Sequence, residues 1–85
     1  MLNNPFMVQQ AGLIADRVRA TSSDLPTQIT LTWRLIYGRT PNASEITSGV
    51  EFLTPPPDAP PEIAAANLNL LCQTLLCSNG FLYVE

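Results

Sequence analysis

The chain has 85 residues, 46% apolar and 13% charged, with four arginines against seven acids, no lysine and no histidine, giving a formal charge of −3. One domain fits that length, and a domain this small buries only about 60–65% of the surface its unfolded chain exposes, which leaves a thin margin of stability. The apolar content excludes a disordered tail. Four dispersed arginines argue against a surface that tracks phosphates, so neither nucleic acid nor an anionic membrane is expected as a partner.

Proline and glycine divide the chain into four helical segments, and no alternating β-branched run argues for a sheet. The fold class expected is all-α: a small single-domain bundle of about four short helices with a C-terminal apolar tail. The first helix lies near 5–20, with Asn4 as N-cap and Pro5 at the first helical position, where a missing N–H costs nothing. Val8, Ala11, Ala15 and Val18 make its expected inner stripe, with Ile14 beside them.

After the polar loop 21–24, Ser23 or Asp24 can cap a second helix near 25–37 that tolerates Pro26 in its first turn. Ile29, Trp33, Ile36 and Tyr37 form the strongest apolar stripe in the chain. Trp33 and Tyr37 are therefore read as core and not as a stacking platform. Gly38 follows where a helix favours a left-handed C-terminal cap. Pro41 pushes Thr40 out of the α region, and Asn42, three residues before Glu45, resembles a capping box for a third helix near 43–53. Ile46, Val50 and Leu53 are expected inward, and Gly49 suits a close approach of another helix.

The proline-rich connector 54–61 is expected to be stiff and polyproline-like. A ligand for a proline-binding domain is the sharper reading of Pro55 to Pro61, but the same spacing is common in ordinary linkers. The fourth helix lies near 62–78, with Ile63, Ala66, Leu70, Leu71 and Leu75 on its expected core face. Asn79 and Gly80 terminate it, and Phe81 to Val84 should pack back on the bundle. The apolar run from Leu68 to Leu76 is interrupted by Asn69, Gln73 and Thr74 and falls short of the roughly 20 residues of a membrane span. The amino terminus lacks the basic and apolar regions of a secretory signal, so an export address would lie in sequence upstream.

Chemistry has few candidates. Without His or Lys there is no ordinary general base or proton shuttle. The acids are dispersed over caps, loops and outer helix faces. Cys72 and Cys77 lie on one helix at a spacing that points them apart, which disfavours a disulfide. Two thiols without His fall short of a zinc site, and no Cys-x-x-Cys-His sequence is present for haem attachment. No cofactor or metal is expected, and the thiols read as small buried hydrophobes, with an exposed free thiol as the alternative. What remains is the polar knot of Gly38, Arg39, Pro41, Asn42 and Glu45. Arg39 follows a helix C-terminus, whose dipole favours a cation, and can reach the Glu45 carboxylate. The knot reads as a structural joint and not as a catalytic site.

Three stretches, "LNNPFMVQQAGLIADRV" (Leu2 to Val18), "TWRLIYGRTPNASEI" (Thr32 to Ile46) and "LLCSNGFLYVE" (Leu75 to Glu85), stand in an order and spacing that resembles the carboxy-terminal part of a planctomycete-specific domain of unknown function, the PSD type. The resemblance covers nearly the whole chain. It implies a C-terminal fragment of a larger exported protein, in a family whose members often also carry planctomycete cytochrome-c-type domains. It brings no catalytic residue with it. Gly80 stands where the family usually has an acid, and Cys77 where it commonly has Asn, which weighs against a polar site at that end.

Two functions follow as expectations. One is a non-catalytic structural or protein-interaction module that packs against the upstream part of its parent protein, another protein or a second copy of itself. The other is an accessory part of a larger enzyme or haem-linked redox assembly whose reactive groups lie upstream.

Overall fold

A computed structural model describes residues 5–78 of the chain. Among these the fold is all-α, with four helices and no strand: α1 (Pro5–Thr21), α2 (Leu25–Tyr37), α3 (Ala43–Leu53) and α4 (Pro61–Ser78). Asn4, Asn79, Gly80 and the apolar stretch Phe81 to Val84 lie outside the described residues. Each helix packs on its chain neighbour or on the helix that closes the ring, α1 on α2 and α4, and α3 on α2 and α4. The diagonal pair α2 and α4 also touch.

Local chemistry explains the ends of α2 and α3. Asp24 is the cap of α2: its carboxylate accepts from the Thr27 backbone N–H at 3.1 Å and the Thr27 hydroxyl at 2.7 Å, which satisfies one of the amides that a helix start leaves open. Helix α3 stops at Thr54, whose extended backbone precedes Pro55, as the steric demand of the proline ring requires. The connector is not extended throughout, because the Ala59 N–H donates to the Pro56 carbonyl at 3.0 Å and closes a turn. Asp58 sits within that turn, where a short polar side chain is favoured.

The core gathers Met7, Ala11, Ala15 and Val18 from α1, Ile29, Trp33 and Ile36 from α2, Leu53 from α3, and Leu68, Leu71, Cys72, Leu75 and Leu76 from α4. Burying each large side chain of this set contributes about 1.5–3 kcal/mol. Tyr37, Ile46 and Val50 are half-buried against it. Gly49 is buried, and a Cβ there would stand 2.5 Å from Ile29 Cδ1 and 2.9 Å from Cγ1. The missing side chain is what lets α3 close onto α2 at this point.

Two inner faces differ from the expected ones. On α1, Met7 is buried and Val8 is exposed; Met7, one turn before Ala11 and two before Ala15, lies nearer the centre of the stripe than Val8 does. On α4, Leu71 and Leu75 face inward as expected, but Leu68, Cys72 and Leu76 complete the face, whereas Ile63, Ala66 and Leu70 are exposed. Helix α4 has no charged side chain from Ile63 to Ser78, so apolar periodicity alone fits more than one inward face.

Candidate functional site

The α2–α3 joint begins with Gly38, whose φ of 74° is the left-handed cap conformation and whose N–H donates to the Arg34 carbonyl. That φ strains any residue with a Cβ. The turn brings Arg39 to Glu45 as a fork: Nη1 donates to Oε1 at 2.9 Å and Nη2 to Oε2 at 2.8 Å. Nη1 also donates to the Thr40 carbonyl at 3.3 Å, and the guanidinium carbon lies 5.7 Å from the centre of the Tyr37 ring, within cation–π range. Pro41 is buried beneath this turn.

Asn42 and Glu45 complete a reciprocal capping box. The Glu45 N–H donates to Asn42 Oδ1 at 2.8 Å, and the Asn42 N–H donates to Glu45 Oε1 at 2.9 Å. One carboxylate therefore serves both the guanidinium and a backbone amide. The Arg39 hydrogen bonds, then the Asn42 amide, lower the Glu45 pKa from the ordinary 4.5 to about 2, against a smaller opposing effect of desolvation. The same pairing raises the pKa of Arg39. Trp33 Nε1 is buried and makes no hydrogen bond, yet its N–H is near enough to Glu45 to add a small lowering influence. We read that contact as a weak electrostatic one, since it lacks hydrogen-bond geometry.

The aromatic pair extends the joint into the bundle. Trp33 and Tyr37 meet edge to face with centroids 5.8 Å apart, and the Tyr37 hydroxyl donates to the Leu75 carbonyl on α4 at 3.3 Å. Gly38, Arg39, Pro41, Asn42 and Glu45 thus come together, and the arrangement fixes three helices. A carboxylate held ionised by a bidentate arginine is a poor general base near neutral pH, because its proton affinity is too low. The geometry supports fastening and offers no reactive group.

The thiols offer little more. Cys72 and Cys77 are both free, Cys72 fully buried and Cys77 half-buried. Burial pushes the Cys72 thiol up to about 12, which removes the thiolate needed for nucleophilic attack. Among the described residues no group of three or more His, Cys, Asp and Glu could hold a metal ion, and no helix is long and apolar enough to cross a membrane.

Two features built by arginine escape sequence reasoning. Arg19 donates to Asp16 at 2.7 Å, to the Asn69 side chain at 3.2 Å and to the Ala65 carbonyl at 3.3 Å, clamping α1 to α4. Only the Asp16 pairing, one turn away, is visible as a spacing. Arg17 and Arg34 are far apart in the chain, yet both line one cleft of about 370 Å³ between α1 and α2. The dispersion of the arginines along the sequence does not hold in space for this pair. Compared with protein-family models, with curated proteins and with solved structures, the chain matches none.

Proposed function

We propose that this chain is a non-catalytic helical module that docks through the outer face of α4 onto another protein surface. The observation that carries the reading is the double-sided apolar character of α4. Its inner face is filled by Leu68, Leu71, Cys72, Leu75 and Leu76, while Ile63 and Leu70 are 39% and 44% exposed on the other side. Ala66 is exposed beside them and Cys77 half-buried, and the four stand at helical spacing along one stripe. A helix with apolar side chains exposed opposite its buried face suits a position covered on both sides, and exposed apolar residues rimmed by polar ones, here Asn67, Gln73 and Thr74, mark a contact surface. The mutual engagement of the joint's polar groups also favours a structural role.

The resemblance to the planctomycete-specific domain gives this reading its setting. In it, the chain is the C-terminal part of a larger exported protein and the covering surface belongs to the upstream part of that protein or to another protein. When that surface is absent, two copies of α4 cover one another. Light scattering across about a hundredfold range of concentration tests the reading through mass action. The expected result is reversible self-association that Leu70→Glu removes while the helical circular dichroism stays. A chain that is monomeric at every concentration would contradict it.

A further inference from the structure

We propose that the cleft between α1 and α2 binds an acidic peptide segment of a partner protein, with carboxylates on Arg17 and Arg34 and an aliphatic side chain between them. The proposal rests on the reading of the chain as an interaction module and places a second contact away from the α4 face. Its walls are Val18 and Thr21 from α1 and Leu31 and Leu35 from α2, and its volume of about 370 Å³ accommodates a side chain of leucine size with room for flanking groups. Val18 is fully buried behind the cleft, so half-buried Leu31 and Leu35, which is 41% exposed, supply its apolar surface beside the polar Arg17, Thr21 and Arg34.

Charge is what selects the occupant. Of the four arginines, Arg19 is paired with Asp16 and Arg39 with Glu45. Among the described residues Arg17 and Arg34 make no ion pair, both are exposed, and no acidic residue lines their cleft. In a chain of net charge −3, two unpaired guanidinium groups sharing one cleft form a local positive site that attracts anions. The Arg39–Glu45 fork shows the geometry a guanidinium takes with a carboxylate in this same molecule, and such bidentate pairs are the stronger charge-assisted hydrogen bonds. The Thr21 hydroxyl already donates to the Arg17 carbonyl at 2.9 Å, so the two arginines are the donors left for a ligand. Binding through apolar contact flanked by carboxylates is the chemistry of an acidic segment with interspersed leucines, and a bare anion would leave the surface of Leu31 and Leu35 unused.

Amide NMR shifts of the full chain at low ionic strength test this, with an acetylated and amidated pentapeptide of alternating glutamate and leucine as the probe. The expected result is saturable shifts at Arg17, Val18, Leu31 and Leu35, weakened by salt. Arg17→Gln and Arg34→Gln, checked by circular dichroism for intact helices, should each bind about tenfold more weakly. No saturable shift, equal binding of the peptide with glutamine for glutamate, unchanged binding by both variants, or the same shifts from inorganic phosphate alone would each overturn the proposal. A chain that self-associates through Leu70 yet ignores the peptide overturns this inference and leaves the α4 reading standing.

Discussion

At the α2–α3 joint, Gly38, Arg39, Asn42 and Glu45 fix one another through a left-handed cap, a bidentate ion pair and a capping box. Along α4, by contrast, no charged residue lies between Ile63 and Ser78, and orientation depends on what the rest of the bundle buries. The joint's geometry is held mainly by residues close in the chain, whereas α4 takes its rotation from contacts with distant residues such as Arg19 and Tyr37. The joint's polar groups engage one another, whereas α4 leaves Ile63 and Leu70 exposed opposite its buried face.

The sharpest way to break this comparison is to shorten neighbouring leucines on α4. Leu71 is 5% exposed and Leu70 is 44% exposed. Leu71→Ala should cost about 2–5 kcal/mol in urea unfolding, and Leu70→Ala should stay within about 0.5 kcal/mol of the parent chain at concentrations where it is monomeric. Equal losses would mean that α4 has one broad buried face.

Glycine substitutions sharpen the contrast at intermediate size. Gly49→Ala drives a methyl into buried Ile29; overpacking of about 1–3 kcal/mol exceeds the gain of about 1 kcal/mol that follows from removing a helical glycine. A lowered thermal midpoint is expected. Gly12 has nothing within 4 Å of the Cβ position, so Gly12→Ala should instead stabilise by about 0.5–1 kcal/mol. Scanning calorimetry of the two variants distinguishes close helix approach from simple propensity.

The smallest effect belongs to the exposed ion pair. Because the folded pKa of Glu45 is lowered from 4.5 to about 2, its stabilising contribution is present above pH 4.5 and is lost as pH falls through about 2. The stability difference between the parent chain and Glu45→Gln should therefore shrink over that window. A difference that stays constant with pH would show that the carboxylate's charge is irrelevant to the joint.

The same contrast explains what could be read in the sequence. The four-helix, all-α class follows from proline and glycine punctuation, and the joint from residue types whose conformational preferences act over a few residues. Ile29, Trp33 and Ile36 were legible as core because one stripe on α2 is apolar. The face of α4 was not, since Ile63, Ala66 and Leu70 repeat at helical spacing as well as the buried set does. Val8 reads as inward for a similar reason, being apolar at the margin of the stripe that Met7 occupies. The Arg17 and Arg34 cleft left no trace in the sequence, because it exists only once α1 lies against α2.

Relaxation of leucine and isoleucine methyl signals by a soluble paramagnetic chelate, measured on the dilute chain, tests most directly whether α4 carries a spare apolar face. The account predicts strong relaxation at Ile63 and Leu70 and protection at Leu68, Leu71 and Leu75. Protection of Leu70 equal to that of Leu71 in the monomer would contradict it.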